Sequence, residues 1–199
     1  MTHPTLFDTK TPAAGPTTRP AAGTSRPLVV GLDLSLTCTG VAGVGWTDNV
    51  RTKLRGDNRL GYLVDSIGSF IKAADLVVME GPSFGHVGPR AHEDMAGLRC
   101  AVRLWCHRRE IPYGVVPPSS LKLYAAGYGK AAKGEVRSAI ADRYGIHTEG
   151  GARYDEADAY AVLAMGLHWL GYPLAEVPDR NAAALNGCKW PAGTVAVAR

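Results

Sequence analysis

Apolar and polar positions along the chain change period several times, and the changes mark the elements. Leu28-Val29-Val30-Gly31-Leu32-Asp33 is a nearly unbroken apolar run ending in an acid, which predicts a buried strand. Thr39 to Trp46 predicts a second strand after a short turn around Leu36-Thr37-Cys38. Val50 to Leu54 predicts a third, with Asp48-Asn49 as the turn, completing an antiparallel meander. Leu60, Leu63, Ile67, Phe70 and Ile71 then recur at helical spacing, so residues 58–74 are expected as an amphipathic helix. Leu76 to Met79 is short and wholly apolar, as a central strand requires. A loop with Gly81, Pro82, Gly85, Gly88 and Pro89 precedes a helix expected at about 91–109. Tyr113 to Val116 predicts the fifth strand, stopped by Pro117-Pro118. Helices are expected at 119–126, 133–144 and 155–170. A meander followed by helix–strand alternation predicts an α/β fold: a five-stranded mixed sheet flanked by helices.

The ends lack this periodicity. Residues 1–26 carry prolines at 4, 12, 16 and 20 and are expected to form a disordered tail. Residues 173–199 are expected to be an irregular C-terminal tail, leaving 27–172 as one domain. Hydrophobic residues at 46% and charged residues at 20% are ordinary for a globular protein. The net charge of +4 permits an anionic partner without requiring one. The four cysteines, Cys38, Cys100, Cys106 and Cys188, form no Cys-x-x-Cys pair, which argues against structural zinc and for reduced thiols. No apolar run approaches the roughly 18 residues of a membrane helix, and no secretory leader is legible, so a cytoplasmic location is expected.

Four carboxylates carry the candidate chemistry. Asp33 and Glu80 each end an apolar run, where an unpaired charge is costly. Asp155 and Asp158 open the last helix three residues apart, on one face. Acids at two strand ends and a helix start suit a divalent cation. Taken singly, Asp33 also reads as a strand-end turn former and Asp155 as a helix cap. Glu156 competes as a ligand but lies about 100° around the helix from Asp155, which favours Asp158.

The order of these motifs resembles the ribonuclease H-like superfamily, and within it the RuvC-type Holliday junction resolvases. The resemblance spans roughly residues 28–170. It rests on Gly31-Leu32-Asp33 with Thr39-Gly40, on Met79-Glu80-Gly81-Pro82, on Pro117 through Lys122, on Gly129 through Val136, and on Asp155-Glu156-Ala157-Asp158-Ala159. It implies a ribonuclease H-like fold in which Asp33, Glu80, Asp155 and Asp158 hold two Mg²⁺ or Mn²⁺ ions about 3.5–4 Å apart. It further implies endonucleolytic resolution of four-way or other branched DNA by paired symmetric nicks, leaving 5′-phosphate ends. Alternatives are another nuclease of this fold, acting on RNA–DNA hybrids or flaps, and a nonenzymatic binder of branched DNA.

The resemblance also assigns Lys122 and Lys133 to the scissile region, Lys133 among the catalytic residues, with Lys130, Arg137 and Arg143 extending a basic face. Lys133 and Arg137 also have a reading as solvated helix residues four apart, one that suits Arg137 better than Lys133. Phe84, in Ser83-Phe84-Gly85, corresponds to an aromatic wedge at the junction centre, although its spacing from Glu80 is shifted by one residue; His86 and Arg90 could contact phosphate beside it. The helix at 91–109 corresponds to a two-fold dimer interface, and two symmetric nicks require two related sites. Its apolar positions Met95, Leu98, Val102 and Trp105 are also those a monomer core would use. An Ala/Gly/Arg-rich composition agrees with a bacteriophage or a GC-rich, actinobacterial source.

Overall fold

The computed structural model describes residues 26–82 and 89–193, with backbone only at 89–91. Five strands form one sheet: β1 (Val29–Asp33), β2 (Cys38–Gly43), β3 (Trp46–Arg51), β4 (Leu76–Glu80) and β5 (Tyr113–Val116). They lie in the order β3-β2-β1-β4-β5. The first three pair antiparallel, while β4 and β5 run parallel to β1. Helices α1 (Gly56–Ile71) and α2 (Pro89–Arg108) cover one face. The other face takes α3 (Pro118–Ala126), α4 (Lys133–Tyr144) and α5 (Arg153–Trp169).

Strand periodicity sorts the side chains between two cores. Val30, Leu32, Val77 and Met79 pack with Leu63, Ile67, Leu98 and Val102 of α1 and α2. Val29, Leu76 and Val78 pack with Leu163, Met165 and Leu167 of α5. Asp33 falls in step with Val29 and Gly31, and Glu80 with Leu76 and Val78, so both acids face α5. The parallel register sets Leu32 beside Met79. Asp33 and Glu80, one residue further along each strand, therefore end side by side.

Two glycines bring α5 onto them. A Cβ on Gly31 would lie 2.1 Å from the Ala159 carbonyl oxygen, and one on Gly40 would lie 2.0 Å from that of Asp155. Only strands without side chains at these points let the first turns of α5 lie on the sheet. Gly40→Ala should therefore destabilise the fold by about 1–3 kcal/mol through overpacking, read as a fall in Tm of several degrees. An unchanged Tm would show that the helix has room to move.

Two expectations are corrected. The hairpin between β2 and β3 turns at Val44-Gly45, where Gly45 has φ +82, and not at Asp48-Asn49. Gly45 supplies the left-handed backbone that a tight turn needs. Asp48 and Asn49 belong to edge strand β3, and the Asn49 amide donates to Glu156 at 2.6 Å. The segment after 173 is also not wholly irregular. It forms the short helix α6 (Asp179–Ala182) and a 3-10 turn at Ala183–Gly187, and Lys189 bridges antiparallel to Val115. Trp190 stacks on Trp169 at 4.9 Å, and Asn181, buried, donates to the Tyr124 carbonyl. Few of these anchors follow a 3.6- or 2-residue period, which is why the pattern missed them.

Candidate metal centre

Asp33, Glu80 and Asp158 each present a carboxylate oxygen such that all lie within 4.8 Å of one another. They line a cavity of about 350 Å³ together with Asp155, Lys122, Lys133 and Arg99. A larger groove of about 1050 Å³ runs between the C-terminal half of α2 and β5. Among the described residues Glu110 is the one acid lining that groove, and they form no comparable cluster there.

The chain holds each group in place by local chemistry. Beyond β1, the buried Thr39 hydroxyl donates to the Ser35 carbonyl at 2.9 Å and accepts the Ser35 N–H at 3.1 Å. This closes the turn that follows Asp33. Asp155 and Asp158 share a face in the first turns of α5, where the helix N-terminus favours negative charge. Glu156 points elsewhere, accepting from Asn49 and from Thr47 at 3.2 Å, which ties α5 to the meander. At the start of α4 the Glu135 carboxylate accepts the Ala132 N–H at 2.7 Å and the Tyr128 hydroxyl, fixing the turn that presents Lys133.

Crowding of like charge in a buried place raises the acids. Asp33 is pushed well above the usual carboxylate range by burial, then by the neighbouring Glu80, with which it shares a hydrogen bond, and by Asp158 and Asp155. Burial also raises Glu80, against the hydrogen bond from Asp33 and the attraction of Lys133, Arg99 and Lys122. Asp158 is raised to about 7 by burial and Glu80, again opposed by Lys133. Such a set resists full ionisation until a cation arrives. Carboxylate oxygens are the hard donors that Mg²⁺ and Mn²⁺ prefer, so the residues fit the ions.

The remaining candidates are dispersed. Asp155 lines the cavity but lies outside the tight triad. Lys122 and Lys133 reach the cavity from α3 and α4, whereas Lys130 is exposed and does not line it. The Arg137 guanidinium donates to the Thr148 carbonyl at 2.6 and 2.8 Å, holding the loop before α5. Arg143 donates to the Tyr124 and Ala125 carbonyls near the end of α3. Phe84 and His86 lie outside the described residues, as does the side chain of Arg90. Along α2, Leu98 and Val102 are buried within the monomer, while Leu104 is exposed.

Sequence reasoning did not assign His92, Met95 and Arg99 to the cavity, although all three line it. Their spacing of three and four residues was the available signal, since it sets them along one side of a helix.

No protein-family model matches the chain, and no curated protein matches it. Solved structures do. T. thermophilus RuvC in complex with a Holliday junction substrate aligns with a TM-score of 0.62 at 19% identity, over 76% of this chain and 99% of that one. A second Thermus thermophilus RuvC structure aligns with a TM-score of 0.60 at 20% identity, over the same shares. The chain thus has the RuvC fold, the ribonuclease H-like arrangement that the motifs implied.

Proposed function

We propose that the chain is a metal-dependent, structure-selective endonuclease that resolves Holliday junctions and related branched DNA. The observation that carries this reading is the convergence of Asp33, Glu80 and Asp158 within 4.8 Å, with Asp155 in the same cavity and lysines beside them. The RuvC fold, one example of which is bound to a junction, supports the choice of substrate.

Asp33, Glu80, Asp155 and Asp158 would hold two Mg²⁺ or Mn²⁺ ions. Bound there, such ions supply an activated water and stabilise charge on the leaving oxygen. Asp33, between Glu80 and α5, would supply a carboxylate ligand at the middle of this set. Lys133 and Lys122 lower the negative potential of the acids and so let a phosphodiester approach. Hydrolysis in this manner leaves 5′-phosphate and 3′-hydroxyl ends. Phe84 acts as a wedge between bases, and Arg90 and Lys130 contact the backbone of the arms. Arg137 contributes by holding the loop that leads into α5. Two copies associate through α2, giving the pair of sites that symmetric nicking needs.

Lys133 gives a direct test. Lys133→Ala should lower single-turnover cleavage of a synthetic four-way junction by about 10²-fold, the usual loss for one electrostatic contact to a transition state. Exposed at the helix start, the residue can be changed with the fold intact. An unaltered rate would remove Lys133 from the site. Cleavage directed instead at flaps or RNA–DNA hybrids would favour the other nuclease reading.

A further inference from the structure

Among the described residues, three buried side-chain polar atoms lack a hydrogen-bond partner: Nε of Arg59, Nε of Arg99 and the hydroxyl of Tyr144. Two belong to side chains with evident structural work. Arg59 pairs with Asp94 through Nη2 at 2.8 Å, and Tyr144 packs against the ring of Tyr160. Arg99 has neither a hydrogen bond nor an ion pair among the described residues, yet it lines the acidic cavity. Its charge is close enough to pull on Glu80. A guanidinium left unbonded in a cavity lined by acids has donors to spare.

Position adds direction. Lys122 and Lys133 enter the cavity from helices on one face of the sheet, and Arg99 enters from α2 on the other. His92 is exposed two turns earlier, whereas Arg99 is half-buried and deeper along the helix. A strand of DNA seated over the acids would pass between the lysines and this arginine. The planar guanidinium fork matches two oxygens of a phosphate, which an ammonium cannot do.

We infer that Arg99 is a substrate-contacting residue that grips a backbone phosphate of the strand being cut, from the side opposite Lys122 and Lys133. This rests on the nuclease reading and deepens it: phosphate is then held from both sheet faces, and Arg99 is satisfied only when DNA is bound.

The experiment uses full-length protein, Arg99→Ala and Arg99→Lys. A fluorescent four-way junction is bound in EDTA between 50 and 200 mM salt, and single-turnover cleavage is followed in Mg²⁺. Loss of one phosphate contact should flatten the slope of log K against log salt by about 0.9 for the Ala variant, with cleavage lower by roughly 10²-fold. The Lys variant should keep the wild-type slope but cut about tenfold more slowly, because charge remains and the fork is lost. Should the Ala variant not fold, the Lys variant decides: wild-type slope with wild-type rate overturns the inference. For a folded Ala variant, an unchanged slope overturns it whatever the rate, since Arg99 would then act on Glu80 and not on DNA. Wild-type protein that neither binds nor cuts the junction overturns the nuclease reading itself, a distinct result.

Discussion

Asp33→Asn should abolish Mg²⁺-dependent junction cleavage, by about 10³-fold or more, while junction binding persists. The substitution preserves shape and removes one ligand oxygen's charge at the point where β1 meets Glu80 and α5. Several kcal/mol of transition-state stabilisation attach to the ions, and each 1.36 kcal/mol is about tenfold in rate. Binding should survive because affinity for DNA resides mainly in phosphate contacts to cations. The fold should survive as well. In the metal-free site Asp33 and Glu80 share a hydrogen bond, and an Asn amide at position 33 can donate to Glu80 in its place. Single-turnover cleavage, junction binding and Tm measured together check this. Cleavage at the wild-type rate with binding unchanged would show the metal assignment to be wrong.

The second large effect is a pH-dependent response of stability to metal. Asp158, raised to about 7 from its ordinary 3.8, binds more protons folded than unfolded between those values. Its contribution to stability is therefore complete below about 3.8 and declines as pH rises toward 7. Asp33 and Glu80 are shifted in the same direction and add to the decline. A divalent cation needs the ionised forms, so it should stabilise strongly at pH 8 and weakly at pH 5. At about 100 times Kd the gain is roughly 2.7 kcal/mol, or about 5–10 °C in Tm for a chain of this size. Thermal melts with EDTA, Mg²⁺ and Mn²⁺ at both pH values measure it. An equal shift at both, or none at pH 8, would contradict a site built on these carboxylates.

How much was legible follows from the physics of each element. The acids at the ends of β1 and β4 were conspicuous because charge interrupts apolar strands, and the parallel register then made them neighbours. The Asp155–Asp158 pair was readable from helical spacing alone, and the side chain of Glu156 does turn toward Thr47 and Asn49. Two glycines supplied what spacing cannot, since only the packed structure shows that Gly31 and Gly40 lie against α5. The turn at Gly45 was missed because Asp48-Asn49 offered competing turn residues, which the sheet instead placed on its edge. Arg137 and Arg143 looked like surface charge in sequence, yet both are occupied by backbone carbonyls that long-range folding brings to them. Arg99 was one of four arginines on its helix. Only the cavity set it apart.

The central claim is that this acidic cavity cuts branched DNA. The most direct test is cleavage of end-labelled synthetic four-way junctions, beside linear duplex, three-way, flap and RNA–DNA hybrid controls, in Mg²⁺, Mn²⁺ and EDTA. Metal-dependent nicks at symmetric positions on opposite strands of the four-way junction are expected, with 5′-phosphate ends. Tight junction binding without any cleavage in either metal would contradict the account and leave the four carboxylates needing another role.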